Sequence, residues 1–153
     1  MINKFFINQK WCYNLSTKEK QMTFEELYKL AFSVSNETLK TKDCEIGSVG
    51  CALESETGNV YLGKNIDMSC SLGMCAERNA ISNMLTKEVK KISKIVVVHK
   101  SGKVMLPCGA CREFMLQLGD LTEETELLLS LEPYKTVKIV DLLPNWWRRE
   151  LSK

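Results

Sequence analysis

Apolar residues recur at two different intervals along this chain, and the change of interval divides it into helices and strands. Phe24, Leu27, Tyr28, Ala31 and Phe32 follow the three-and-four spacing of an amphipathic helix. Thr23 precedes that run and Glu26 follows it three residues later, the reciprocal pattern of a helix start, and the helix is expected to end before Lys42. Ser48 to Glu54 and Val60 to Ile66 are short, partly apolar runs flanking Thr57-Gly58-Asn59, which predicts a β-hairpin. Cys75 to Leu85 returns to helical spacing through Ala76, Ala80, Ile81, Met84 and Leu85. Ile95-Val96-Val97-Val98 is a continuous β-branched run, the pattern of a central strand covered on both faces. Cys108 to Leu118 predicts another helix, with Phe114, Met115 and Leu118 inward and Gly119 closing it. Glu126 to Leu131 predicts a further strand, and Val137 to Leu143 a closing segment before Pro144.

Strand, helix, strand, helix, strand in this order predicts an α/β domain with helices on both faces of a mostly parallel sheet, a three-layer α/β/α sandwich. Ligands in such sheets bind beyond the strand C-terminal ends, where the following helices begin. Residues 1–21 are polar and without periodicity, and are expected to be an N-terminal extension of a single domain spanning residues 22–153. At 153 residues and 44% hydrophobic, the chain is long enough for one ordinary core.

Lys and Arg number 21 against 19 Asp and Glu, a net charge of +2 scattered along the chain. Without a concentrated basic field, nucleic acid and acidic membrane are excluded as partners, and a small molecule is favoured. No apolar run approaches the roughly 20 residues that span a bilayer, and the start of the chain lacks the pattern of a signal sequence. A cytoplasmic location is expected. Seven cysteines, an odd number, make a poor disulfide framework, and a reducing compartment keeps thiolates available for metal.

The cysteines carry the chemistry. Cys75-Ala76-Glu77-Arg78 is followed by Pro107-Cys108-Gly109-Ala110-Cys111-Arg112. Cys108 and Cys111, three apart on a first helical turn, share a face and can hold one ion. Three thiolates leave one tetrahedral position of a zinc ion open, and Glu77 beside the first ligand can move protons there. Cys75 and Glu77 are two apart, so both reach the ion only if a helix starts there, end-on. Zinc with three thiolates sums to −1, which weakens it as a Lewis acid, so a positive group is required nearby. Arg78 is the nearest candidate for that charge compensation, and Arg112 is given a structural role.

Three ligands with a non-ligating glutamate form the signature of zinc deaminases. At these residues the chain resembles the cytidine deaminase family and, more loosely, blasticidin S deaminases, from about Met22 to Trp147. The resemblance implies a mixed, mostly parallel sheet of five strands, zinc held by Cys75, Cys108 and Cys111, and proton transfer by Glu77. It implies hydrolysis of cytidine or deoxycytidine to uridine or deoxyuridine and ammonia. Gly63-Lys64-Asn65-Ile66-Asp67 is similar to the family segment that binds ribose hydroxyls, which assigns substrate binding to Asn65 and Asp67. Family members usually have glutamate where this chain has Asp67, and Gly47-Ser48-Val49-Gly50 lacks their aromatic residue and proline. These departures keep blasticidin S or another modified aminopyrimidine as the alternative substrate. Leu142-Leu143-Pro144, Trp146 and Trp147 resemble the family's C-terminal helix and aromatic tail, which implies a homotetramer or homodimer.

The competing readings are simple ones. A closed structural zinc in a binding module without turnover would recruit Cys70 as fourth ligand, and Cys108 with Cys111 could instead be a redox pair. His99 is expected to be structural, and Trp146 and Trp147 to be packing. Cys44, Cys51 and Cys70 are expected to be small buried apolar residues.

Overall fold

The structure, a computed structural model, describes residues 12–13 and 21–150. Apart from Cys12 and Tyr13, the expected N-terminal extension up to residue 20 lies outside the described residues. Three helices, α1 (Phe24–Ser35), α2 (Ala76–Lys87) and α3 (Gly109–Gln117), cover a single sheet. Its strands are β1 (Cys12–Tyr13), β2 (Leu39–Lys40), β3 (Cys44–Ser55), β4 (Val60–Met68), β5 (Ile92–His99), β6 (Glu126–Leu131) and β7 (Tyr134–Lys138). They lie in the order β1-β4-β3-β5-β6-β7, with β2 also paired to β3.

The α/β class and the helical cover hold, but strand number and direction correct the expectation of five mostly parallel strands. There are seven, and only β5 and β6 pair in parallel. The reason is the hairpin: its tight turn at Gly58, whose φ is 79°, wedges β3 antiparallel between β4 and β5. The segment at Val137 likewise turns back on β6 as a second hairpin, so β7 is antiparallel as well. Because β4 and β5 both oppose β3, they run in the same direction, and the helices that follow them start at the same edge of the sheet.

Alternation along the strands divides the core in two. Cys51, Leu53, Ile95, Val97 and Leu127 face α2 and α3, where they meet Ala80, Ile81, Met84, Cys111 and Met115. Ala52, Val96, Val98 and Leu128 face the other way, against Leu27, Ala31 and Val34 of α1. The run Ile95 to Val98 is therefore buried on both faces, as a central strand requires.

Two glycines set how closely the helices approach. A Cβ on Gly63 would lie 2.3 Å from the Ala76 carbonyl oxygen, and one on Gly50 would lie 2.1 Å from that of Ala31. Both contacts are with backbone, so neither position admits a side chain unless a helix moves. Thr23 caps α1 with the reciprocal Glu26 contact its spacing predicts. A buried ion pair unmarked by periodicity, Glu54 with Lys94 at 3.0 Å, also receives the Met22 N–H and donates to the Met22 carbonyl, fixing the entry to α1. Among the described residues no helix is long and apolar enough to cross a membrane.

Glu88 ties the far end of α2 to the first hairpin. Its carboxylate accepts from Ser55 Oγ at 2.8 Å, Tyr61 Oη at 3.0 Å, Thr57 Oγ1 at 3.1 Å and Asn59 Nδ2 at 3.2 Å. Partial burial opposes ionisation, but donation from Ser55, Asn59, Tyr61 and Thr57 outweighs it and holds the carboxyl below its ordinary 4.5. A depressed carboxyl stabilises the fold fully above its unfolded value, and that contribution disappears as pH falls through the lower folded value. Glu88→Gln is expected to lower the urea midpoint at about pH 7 and to converge on the wild-type midpoint as pH falls through the depressed folded value.

Candidate active site

Cys75 and Cys108 occupy the same structural position on two different helices. Each is the N-cap, in extended backbone conformation, of α2 and α3 respectively, and neither helix has a side-chain hydrogen bond capping its start. The first-turn amides of both helices therefore face the sulfurs with their positive ends. Cys111 sits one turn into α3 and is buried, Cys75 is half-buried and Cys108 exposed. Glu77 is the second residue of α2, so the end-on helix start demanded by the Cys75 and Glu77 spacing is present.

Cys75 Sγ lies 3.7 Å from Cys108 Sγ, which lies 3.6 Å from Cys111 Sγ, and all three are within 4.8 Å of one another. Zinc–sulfur bonds of about 2.3 Å at tetrahedral angles separate sulfurs by about 3.8 Å, so the donor set fits a zinc ion. The Glu77 carboxylate is not part of the cluster. Cys70 is not either: it is exposed, with φ of 61°, on a 3-10 turn (Ser69–Ser71), so the closed four-sulfur arrangement is not formed.

The electrostatics are those of crowded acids. Burial, then Glu77 and the neighbouring sulfurs, push the Cys111 thiol far up. Burial also opposes ionisation at Cys108, but the Cys111 backbone N–H and the Cys111 and Cys75 side chains together bring that thiol below its usual value. Burial raises Glu77, which is 4% exposed, against the lowering effects of its own backbone N–H, Cys111 and Arg78. A divalent cation bound here would let three thiolates coexist. Arg78 leans the same way: burial disfavours its charge, but the sulfurs of Cys75 and Cys111 more than offset this. Its Nε is buried and finds no partner among the described residues.

A cavity of about 360 Å³ opens over the cluster. Cys75, Cys108, Glu77 and Arg78 line it on one side, and Ser48, Asn65 and Asp67 supply the other polar groups. Asn65 is held in place, since its Oδ1 accepts from the Val49 N–H at 2.9 Å and its Nδ2 donates to Asp67 Oδ2 at 2.7 Å. Every residue singled out for the site thus lines one cavity, save Cys111, which is buried 3.6 Å from the Cys108 sulfur.

The apolar walls were not marked in the sequence. Val97 reads there only as core, while Met74, Met105 and Leu106 lie in stretches without periodicity. Their one available signal is adjacency, Met74 to Cys75 and Leu106 to the Pro107-Cys108 pair.

His99 is structural as expected, with Nδ1 2.9 Å from Ser101 Oγ in a surface turn. Arg112 also holds structure, donating from Nε to the Pro107 carbonyl and from Nη1 to that of Leu142. The tail departs from expectation: Ile139–Leu142 and Trp147–Glu150 form short 3-10 turns in place of a helix, because Pro144 interrupts the run. Trp146 and Trp147 both donate their indole N–H to Glu113. Cys51 is buried, whereas Cys70, on the 3-10 turn after β4, is exposed and Cys44, at the first position of β3, is only half-buried.

The site residues fall inside the stretch that matches a known family. The family profile described as "Cytidine and deoxycytidylate deaminase zinc-binding region" matches residues 22–124. A cytidine deaminase of Sporosarcina psychrophila is 30% identical over 103 residues, 67% of this chain and 76% of that protein. A relative from Dictyostelium discoideum is 35% identical over 74 residues, and there the match spans 47% of this chain and half of that protein's length. The crystal structure of a cytidine deaminase from Burkholderia pseudomallei superposes with a TM-score of 0.66 at 28% identity, covering 81% of this chain and 98% of that one.

The sulfur geometry makes a direct prediction about metal content. Purified protein is expected to carry about one zinc per chain by elemental analysis, Cys108→Ser to lose it, and Cys70→Ser to retain it. Loss of zinc in Cys70→Ser would restore the closed four-ligand site.

Proposed function

The chain belongs to the cytidine and deoxycytidylate deaminase family, and from that premise we propose that it hydrolyses the exocyclic amine of a free cytosine nucleoside, cytidine or deoxycytidine. The products are uridine or deoxyuridine and ammonia. One observation carries the reading: three sulfurs spaced for zinc meet a buried glutamate outside their cluster, on the wall of one small cavity. The cavity is of the size that small ligands occupy, roughly 300–1,000 Å³.

Cys75, Cys108 and Cys111 would hold the zinc, whose chemistry when bound is to bind and acidify the water that the reaction consumes. Glu77 takes a proton from that water and delivers it to ring nitrogen N3. It then carries the second proton to the departing amine, so water supplies one oxygen and two protons and no redox partner is needed. Arg78 withdraws charge from the sulfurs, offsetting the −1 left by three thiolates around a divalent ion. Met74, Val97, Met105 and Leu106 give the flat ring apolar surface and exclude bulk water. Asn65 and Asp67 take the sugar hydroxyls. Asp67 is a negative group on the cavity and Arg78 is engaged by sulfur, which favours a nucleoside over its phosphate.

The same reading extends to assembly and place. Met68 at the end of β4 and Leu72, Met74, Met105 and Leu106 on the two loops that lead into α2 and α3 expose apolar side chains. That rim, with the exposed Trp147, suits contact between copies in a homodimer or homotetramer. The reducing cytoplasm suits the free cysteines.

Ammonia release from cytidine, deoxycytidine, cytosine, blasticidin S and adenosine, with zinc measured alongside, tests the proposal. Turnover of cytidine is expected; inertness toward all five by zinc-loaded protein would leave a binding module. Glu77→Gln is expected to keep zinc and lose about 10²–10⁴-fold in kcat. Arg78→Ala is expected to fold and turn over more slowly.

A further inference from the structure

Ser48 lies where β3 breaks its own alternation. Gly47 and Ser48 have φ of 94° and 79°, and the pairing of β3 with β4 changes register between Ile46 and Gly50. In an unbroken strand Ser48 and Val49 would point to opposite faces. Val49 packs against the core on the α2 and α3 side, yet Ser48 lines the same cavity as Val49, so the bulge brings both neighbours to the site. The backbone around Ser48 is pinned: its carbonyl accepts from the Lys100 N–H at 2.8 Å, and the next N–H goes to Asn65 Oδ1. Its hydroxyl has no hydrogen-bond partner among the described residues. Glycine would adopt this left-handed conformation without strain, as Gly47 does beside it, so a serine here carries a cost that its backbone role does not explain.

We infer that Ser48 is a specificity-determining residue whose hydroxyl binds a sugar hydroxyl of the nucleoside, completing a polar arc with Asn65 and Asp67. The arc is continuous through Val49, whose N–H fixes the Asn65 amide that in turn holds Asp67. This deepens the nucleoside reading and rests on it.

The test uses Ser48→Gly, which relieves the backbone strain while removing the hydroxyl. Its melting temperature is expected to equal or exceed that of the zinc-loaded wild type. KM for cytidine is expected to rise about three- to tenfold, the loss of one neutral hydrogen bond. The inhibition constant of uridine should weaken alongside KM, while that of 1-methyluracil, which carries the product base without a sugar, should not move. Unchanged KM and uridine inhibition in Ser48→Gly, or equal weakening of uridine and 1-methyluracil, overturns the inference about Ser48 alone. A wild type that deaminates sugarless cytosines as readily as cytidine overturns the nucleoside reading instead.

Discussion

Two helix N-termini converge on one point, and the chemistry of this protein depends on that convergence. Cys75 and Cys108 are both N-cap residues, so the positive N-terminal ends of α2 and α3 lie at the sulfurs they present. At the separations observed, burial and then the neighbouring negative groups push the Cys111 thiol up, while hydrogen bonds from Cys111 and Cys75 bring Cys108 down. Helix N-termini and the Arg78 guanidinium bring positive charge to the sulfurs, and the zinc of the proposed reaction would add the rest. Glu77 belongs to the same electrostatic unit, because the helix start that presents Cys75 also buries the glutamate beside Cys111.

The convergence follows from strand direction. β4 and β5 are parallel to each other only because β3 lies between them, antiparallel to both. Their helices therefore leave the sheet at the same edge, which is where the cavity forms. Gly63 sets the remaining distance. Directly under the first turns of α2, it lets the Ala76 carbonyl approach closer than any Cβ would allow. The far end of the same helix is anchored by Glu88, so α2 is held at both ends while its N-cap serves the site.

The polar groups across the cavity from the sulfurs depend on finer irregularities. The bulge at Gly47 and Ser48 interrupts β3 at the point where Asn65 reaches across from β4 to take the Val49 N–H. A regular ladder there would satisfy that N–H by backbone and leave Asn65 free to rotate. The polar side of the cavity is thus built by a defect in the sheet, and its apolar side by loop residues Met74, Met105 and Leu106.

The amino-acid sequence by itself determined the elements and the reactive groups. Helical spacing located α1, α2 and α3, the run Ile95 to Val98 located the central strand, and cysteine spacing singled out the three sulfurs, because these signals are local. Local patterns carry no information on which strand lies beside which, so the mostly parallel sheet was the wrong inference from a strand-helix alternation that hides an inserted hairpin. Only the tertiary structure decided that Cys75 joins a pair of cysteines more than thirty residues away while Cys70, five residues off, does not. It also decided that Val97 walls a cavity and that Ser48 turns into it, because both depend on packing across elements and on a backbone kink that residue spacing does not encode.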